Sequence, residues 1–239
     1  MKTNVTKTMD MDIDMAERAA AARLLIFDLD GTLLDTLDDL TAAVNFALRR
    51  HGLPERERRQ IQDFVGDGVK KLVQRALPPE AGEELRQQVF ADFAARYGEH
   101  CADLTRPYDG VTGLLRQLKQ QGKLTAVVSN KSHREVQALC DRFFPGLLDL
   151  VAGERPGLAR KPAPDLPLLV LRELGCTPEQ ALYIGDSQVD VATAAAAGLA
   201  CVSVSWGFRS REQLLAAGAR QVADTPRQLL ALLTAPGAK

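Results

Sequence analysis

Short, continuous apolar runs recur along the chain, and each is followed by turn residues or by a helical pattern. The runs begin at Leu24, Leu124, Leu150, Ala181 and Cys201. Runs of this kind are typical of strands that are buried on both faces of a parallel sheet. Amphipathic stretches at 111–121, 132–143, 165–174 and 189–197 lie between them. The alternation predicts an α/β fold in which helices flank a central parallel sheet.

The segment 36–106 breaks this alternation, because it has helical periodicity and no convincing strand. Thr36 opens a capping-box pattern ahead of an apolar stripe, which predicts the start of a first helix there. A second and a third helix are expected on either side of residues 65–68, and a longer one from Glu80 towards Glu99. We interpret the segment as an inserted all-α cap domain.

The remaining segments complete the expected domain organisation. We predict a flexible tail at 1–22, a core formed by 23–35 and 107–239, and a cap at 36–106. The first 23 residues contain no continuous apolar stretch of the signal-peptide type, so export is not expected. No apolar run approaches the length of a membrane span, so we expect a soluble protein.

The charge balance narrows the class of partner. Lysine and arginine total 30 against 31 acids, which gives no electrostatic reason to expect nucleic acid or an anionic membrane. The four cysteines form no C-x-x-C pair, which fits reduced thiols in a cytoplasm. We therefore expect a cytoplasmic protein that acts on a small molecule, either as a monomer or as a homodimer.

Two acids directly follow the first predicted strand. Asp28 and Asp30 precede Gly31 at its carboxyl end, where open parallel sheets place their ligand sites. A carboxylate at Asp28 could attack a phosphorus atom and form an aspartyl phosphate. Asp30 could then act as general acid to the leaving alcohol and as general base to the hydrolytic water. For this motif alone, an Asx turn after a strand is an open alternative.

Polar residues after later strands supply further candidates. Ser129 and Asn130 follow the strand that begins at Leu124, and their hydroxyl and amide groups suit hydrogen bonds to phosphate oxygens. Residues of these types also begin turns or cap helices. Lys161 lies in a loop stiffened by two prolines, where its charge could orient Asp28 and offset that of a phosphoryl group. A solvated surface lysine is the alternative.

Acids also follow the strand that begins at Ala181. Magnesium binds hard oxygen ligands, typically one or two carboxylates together with water and substrate phosphate. Asp186 and Asp28 suit such a site. Asp190 is equally compatible with a second role, because Ser187-x-x-Asp190 has the form of a capping box that starts a helix.

Together, four ordered motifs resemble those of the haloacid dehalogenase superfamily of phosphatases, and in particular its phosphoglycolate phosphatase-like branch. The motifs are Asp28-x-Asp30-Gly31-Thr32, Ser129 after a strand, Lys161 before Pro162, and Gly185-Asp186-x-x-x-Asp190. The resemblance covers nearly everything from Arg23 to Leu233. It implies a Rossmann-like core with a central parallel sheet, a helical cap inserted after the first motif, and Mg²⁺ as cofactor.

The resemblance also implies a role for each motif residue. Asp28 would be the nucleophile and a metal ligand, Asp30 the acid/base that also binds metal through its main-chain carbonyl, and Asp186 the further metal ligand, supported by Asp190. Lys161 would stabilise charge, Ser129 would bind phosphate with Asn130 beside it, and Thr32, grouped with the substrate-binding residues, would hold the loop near Asp30. Lys70, in the cap segment 65–70, is expected to contact the substrate.

The predicted function is hydrolysis of a small phosphorylated metabolite, with 2-phosphoglycolate as the leading substrate by resemblance. A dehalogenase is disfavoured by Asp30, since dehalogenases of this superfamily lack the second aspartate. A phosphomutase or a pyrophosphatase stays open, because the motifs do not set the cap contacts that choose the substrate. A non-catalytic module that binds a phosphorylated ligand is disfavoured, because every motif acid is present.

Overall fold

A parallel sheet forms the centre of the molecule. The computed structural model describes Met15 and residues 17–234. In this part of the chain the strands are β1 (Leu24–Phe27), β2 (Leu34–Asp35), β3 (Arg106–Pro107), β4 (Leu124–Ser132), β5 (Leu150–Glu154), β6 (Ala181–Gly185), β7 (Ala200–Val204) and β8 (Gln221–Ala223). Six of them form one sheet in the order β5-β4-β1-β6-β7-β8, and every neighbouring pair is parallel.

Helices cover both faces of this sheet and form a separate bundle. From residue 37 onwards the α-helices are α1 (Leu37–Arg50), α2 (Arg58–Phe64), α3 (Val69–Ala76), α4 (Glu83–His100), α5 (Val111–Gln120), α6 (His133–Phe143), α7 (Asp165–Glu173), α8 (Gln188–Ala196), α9 (Arg211–Ala216) and α10 (Pro226–Thr234). Leu25 and Phe27 of β1 pack in the cluster that contains α5, α6 and α10. Leu24 and Ile26 point to the opposite face, where α7 and α8 pack. This period-two alternation buries β1 on both sides.

The predicted fold class is confirmed. Each apolar run named from the sequence is a strand of the central sheet. The edge strand β8 and the helices α9 and α10 were not predicted. β8 is only three residues long, and too short a segment carries little periodicity.

The helices α1–α4 have a hydrophobic core of their own, and we call this region the cap. Phe93 and Tyr97 of α4 stack with ring centroids 5.4 Å apart inside it. The chain enters the cap after β2 and leaves it before β3, and these two strands pair antiparallel. Asp39 of α1 accepts hydrogen bonds from the backbone N–H groups of Leu104 and Thr105, which fastens the exit to the entrance.

The N-terminal segment differs in part from the expected flexible tail. Residues 17–21 are helical, and Ala19 and Ala22 are buried in the core. Lys123 Nζ donates hydrogen bonds to the carbonyl oxygens of Ala20 and Ala22 at 2.6 and 2.7 Å. This part of the predicted tail therefore packs against the core, because its alanines fit an apolar surface that the pattern did not show. Residues 1–14, residue 16 and residues 235–239 lie outside the described residues.

The structure also bears on the state of the cysteines and on membrane-spanning helices. The four cysteines are all free thiols. None of the described helices combines the length and the hydropathy that a membrane crossing requires.

Candidate active site

The carboxyl ends of three neighbouring strands bring the predicted site residues together. β1 lies between β4 and β6 in the sheet. Asp28 follows β1, Asp186 follows β6, and Ser129 and Asn130 lie in the last part of β4. The loop between β5 and α7 contributes Lys161. Residues separated by up to 158 positions thus line one cavity at the sheet edge where α/β folds bind ligands.

Lys161 is a buried cation placed between two acids. Its Nζ lies 2.9 Å from Oδ1 of Asp28 and 2.8 Å from Oδ1 of Asp190. Burial disfavours the charged form, but the carboxylates of Asp190 and Asp28 raise the pKa of Lys161 well above its ordinary value. The residue is only 3% exposed, so Lys161 is a fixed positive charge beside Asp28 and not a solvated surface lysine.

Asp190 makes the helix-capping contact that the sequence left open, and it also binds Lys161. Its Oδ2 accepts hydrogen bonds from the backbone N–H and the hydroxyl of Ser187, which forms a capping box at the start of α8. Its Oδ1 accepts from Lys161 Nζ and from the Tyr183 hydroxyl. The helix cap therefore holds the carboxylate that in turn holds Lys161.

Asp186 is fixed through both of its carboxylate oxygens. Oδ1 accepts a hydrogen bond from Thr32 Oγ1 at 3.0 Å, and Oδ2 accepts one from the backbone N–H of Phe208 at 2.7 Å. Gly31 has a positive φ, and a Cβ there would overlap this carboxylate, so only glycine allows the loop to approach so closely. Thr32 was expected to hold the loop near Asp30, and its hydroxyl joins that loop to Asp186.

Three acids form a cluster suited to a cation. Asp28, Asp186 and Asp190 each offer a carboxylate oxygen, and these oxygens lie within 4.8 Å of one another. Burial and the charge of Asp190 raise the pKa of Asp28 well above its usual range and that of Asp186 to about 7. Lys161 supplies one positive charge against these three acids. Hard oxygen donors in a site with excess negative charge fit a divalent metal ion such as Mg²⁺.

Asp30 is held by two donors that were not predicted. Its Oδ1 accepts hydrogen bonds from Lys131 Nζ and from Thr36 Oγ1, both at 2.6 Å. Thr36 was expected to cap the first cap helix, but its side chain makes no capping bond to α1, and its hydroxyl donates to Asp30. The expected metal contact through the main-chain carbonyl of Asp30 stays a prediction.

Lys131 is the main site residue that sequence reasoning missed. It lines the cavity at the end of β4 and is 3% exposed. Burial opposes its charge, but Asp30 and Tyr97 raise its pKa. The available signal was its position directly after Ser129 and Asn130, where a lysine at the end of a buried strand requires a partner.

Asn130 supports the Lys161 loop and also reaches the cap. Its Oδ1 accepts from the backbone N–H of Lys161 at 2.8 Å, and its Nδ2 donates to the Lys161 carbonyl at 3.0 Å. Nδ2 also lies 3.4 Å from the carbonyl oxygen of Gly66. Both polar atoms of the amide are thus engaged by backbone groups. Ser129, in contrast, lines the cavity, and its hydroxyl accepts from the Lys131 N–H at 3.2 Å.

The cap closes the cavity with an apolar wall. The described cap residues that line it are Leu40, Val65, Gly66, Gly68, Val69 and Leu72. Lys70 is not among them: its side chain is exposed, and Nζ lies 5.8 Å from the centroid of the Phe90 ring. The residue expected to contact the substrate therefore points along the cap surface. On a helix, neighbouring positions 69 and 70 face different directions, so only one of them can face the cavity.

Arg209 joins the core to the cap and was also missed. It follows β7, and it is 8% exposed. Its guanidinium donates to the carbonyl oxygens of Gln62 and Val65 at 2.9 and 2.7 Å. These carbonyls end α2, where a helix favours a positive charge. Arg209, a core residue, therefore satisfies the carbonyl oxygens at the C-terminal end of α2.

A family profile provides an independent comparison. The profile described as haloacid dehalogenase-like hydrolase matches residues 25–204, which contain Asp28, Lys161 and Asp186. The chain belongs to the haloacid dehalogenase-like hydrolases. The resemblance seen in the four motifs is thereby confirmed, and so is the assignment of the chain to a family of enzymes.

Named phosphatases are among the proteins similar to this member of the family. Phosphoglycolate phosphatase of Pseudomonas putida is 37% identical over 214 residues, which cover 87% of this chain and 78% of that protein. N-acetylmuramic acid 6-phosphate phosphatase of Pseudomonas aeruginosa is 35% identical over 218 residues, covering 88% and 94%. The crystal structure of a predicted phosphoglycolate phosphatase from Haemophilus somnus has a TM-score of 0.82 at 30% identity and covers 89% and 98%. The names of these relatives include two different phosphate esters.

Proposed function

We propose that this protein is a magnesium-dependent phosphatase that hydrolyses a small phosphate monoester through an aspartyl phosphate on Asp28. The observation that carries the proposal is the buried Lys161, whose Nζ lies 2.9 Å from Asp28 Oδ1. A fixed cation at this position orients the nucleophile and offsets the charge of a phosphoryl group. The backbone N–H of Leu29 also binds Oδ1, which leaves Oδ2 of Asp28 for attack.

The reaction is proposed to have two displacements. In the first, the Asp28 carboxylate attacks phosphorus, the ester P–O bond breaks, and Asp30 gives a proton to the leaving alcohol oxygen. In the second, water attacks the same phosphorus, the bond to Asp28 breaks, and Asp30 takes a proton from the water. The products are the free alcohol and inorganic phosphate, and both aspartates return to their starting forms.

Asp28 and Asp186 are the proposed metal ligands, together with the main-chain carbonyl of Asp30. Asp190 is placed to support them, since its oxygens already bind Ser187 and Lys161. When bound, Mg²⁺ would neutralise carboxylate and phosphate charge at the point where they must meet. Thr32 and the Phe208 N–H hold Asp186 for this purpose.

2-Phosphoglycolate is the leading substrate. Similar proteins bear the name phosphoglycolate phosphatase, including one at 37% identity. The apolar cap wall favours a compact ester over a polyhydroxylated sugar, whose hydroxyl groups would lose water without gaining partners. A panel containing 2-phosphoglycolate, N-acetylmuramic acid 6-phosphate, hexose phosphates, nucleoside monophosphates and pyrophosphate, compared by kcat/KM, tests this assignment. A strong preference for another ester would contradict it.

Replacing the nucleophile tests the proposed reaction. We expect Asp28→Asn to lower Mg²⁺-dependent phosphate release from an aryl phosphate by at least about 10⁴-fold, because the covalent route is lost. Asp141→Asn is the matched control, since Asp141 is exposed on α6, away from the site. Circular dichroism would check that both variants fold. Undiminished turnover in Asp28→Asn would remove Asp28 from the mechanism.

A further inference from the structure

The Lys131 side chain lies between the core and the cap. Its Nζ donates to Asp30 Oδ1 at 2.6 Å and to the Tyr97 hydroxyl at 2.8 Å. Tyr97 belongs to α4 of the cap and is 1% exposed. A buried ammonium group requires hydrogen-bond acceptors from the protein. Here the core supplies one acceptor, Asp30, and the cap supplies another, Tyr97.

Tyr97 is held firmly enough to act as an anchor. Its ring stacks on Phe93 at a centroid distance of 5.4 Å and an interplanar angle of 10°. Lys131 Nζ also lies 5.1 Å from the centroid of the Tyr97 ring. The hydroxyl position is therefore set by the packed interior of the cap, so a change in the position of α4 would move an acceptor of Lys131.

The contacts of Asp30 determine the orientation of its carboxylate. Thr36, at the entrance to the cap, and Lys131, near the end of core strand β4, both donate to Oδ1. Two short bonds to one oxygen fix the rotation of the carboxylate and leave Oδ2 to exchange a proton with the reactants.

We propose that Lys131, anchored by Tyr97 of the cap, is a positioning residue that holds the Asp30 carboxylate for hydrolysis of the aspartyl phosphate. This inference rests on the proposed function. In that step the oxygen of water bonds to phosphorus, the bond from phosphorus to Asp28 breaks, and the water proton passes to Asp30. The Tyr97 contact ties this step to a docked cap.

Steady-state kinetics on p-nitrophenyl phosphate separate the two displacements. The leaving group departs readily without a proton, so kcat/KM reports attack by Asp28 and depends little on Asp30. A slowed second step lowers kcat and KM together. We expect Lys131→Met to lower kcat about 10- to 100-fold, with kcat/KM within about threefold of the wild type. Acid quenching with substrate labelled in the phosphate should show more phosphoenzyme than in the wild type.

Tyr97→Phe provides the second test, because it keeps the ring stack and removes only the hydroxyl. We expect kcat to fall roughly threefold to tenfold, again with a gain in phosphoenzyme. In the Lys131→Met background, Tyr97→Phe should have no further effect, since Tyr97 acts through Lys131. Tyr108→Phe removes the same group from a residue in a separate surface cavity, and it should leave both kinetic parameters unchanged.

Two results would overturn the inference. One is kcat within twofold of the wild type in both single variants. The other is an equal fall in kcat and kcat/KM without a gain in phosphoenzyme, which indicates a structural effect alone. A wild-type enzyme that forms no phosphoenzyme on Asp28 would overturn the proposed function together with the inference, and the wild-type measurement alone identifies that case.

Discussion

The core wall and the cap wall of the cavity are built in different ways. On the core side, charged side chains bind one another: Lys161 contacts Asp28 and Asp190, and Asp30 contacts Lys131. On the cap side, the described lining consists of apolar side chains and glycines. Replacing either partner of a core ion pair would break that contact. The apolar cap wall can accept other side chains, provided that they fill a similar shape.

The contacts that dock the cap follow the same division. Core side chains supply most of the donors, and the cap supplies mainly backbone carbonyl oxygens: Arg209 binds those of Gln62 and Val65, and Asn130 approaches that of Gly66. One bond runs the other way, from Gln62 Nε2 of the cap to the carbonyl oxygen of Phe208. Backbone acceptors survive replacement of the side chains around them. A cap of this kind can therefore vary its lining, and with it the preferred ester, while the chemistry in the core stays constant.

The largest contrast is expected between one lysine of the core and one of the cap. Lys161→Met should lower phosphate release by about 10³-fold, because the charge beside Asp28 is lost. It should also lower the free energy of unfolding by about 3 kcal/mol, because two buried acids lose their partner. Lys70→Met should change neither quantity by more than about twofold or 0.5 kcal/mol. Activity assays and urea unfolding measure both, and a large effect of Lys70→Met would restore it as a substrate contact.

How far the sequence predicts this architecture depends on the range of the contacts involved. The strands and the acids at their ends were predictable, because Leu24–Phe27 and Asp28 form a local pattern. The contact between Asp30 and Lys131 was not, since Lys131 lies 101 residues away and is held by Tyr97 of the cap. Thr36 has the local signature of a helix cap, but its hydroxyl donates to Asp30, six residues before it, and makes no capping bond.

Lys70 and Arg209 also show what local sequence does not predict: the direction of one side chain and the role of the other. The segment 65–70 was expected to lie near the substrate, and it does line the cavity. The residues that line it are neighbours of Lys70, such as Gly68 and Val69, and not Lys70 itself. Arg209 belongs to no recognisable sequence motif. Its acceptors are backbone carbonyl oxygens, which are present whatever the side chains, so no partner residue could be identified from the sequence. Residues that recognise backbone leave little trace in local sequence.

Magnesium should stabilise the protein through the acidic cluster of the core. At a concentration about 100 times the Kd, Mg²⁺ is expected to raise the free energy of unfolding by about 2.7 kcal/mol. Asp186→Asn should lose most of this gain, because it removes a proposed ligand. Asp103→Asn, at the exposed end of the cap, should retain it. Thermal unfolding with and without Mg²⁺ measures the difference, and equal stabilisation of both variants would place the ion elsewhere.

Cap docking should have the smallest of these effects. Arg209→Gln removes the charged donor to the end of α2 and is expected to lower kcat/KM about tenfold, because hydrogen bonds to charged groups contribute about 1.5–3 kcal/mol. Arg172→Gln is the control, since that arginine is exposed on α7. Small-angle scattering should show a larger radius of gyration for Arg209→Gln. An unchanged radius and full activity would mean that the cap docks without Arg209.

The pairing of β2 with β3 affects how the segment between these strands can be exchanged in evolution. Leu34 lies opposite Pro107 and Asp35 opposite Arg106, so the chain leaves the core and returns to it at adjacent positions. Paired residues of antiparallel strands are only about 5 Å apart. A segment of almost any length can be grafted between these points without rerouting the core, because neighbouring termini are what permit domain insertion. The two-residue ribbon is thus the junction at which evolution can exchange one lid for another.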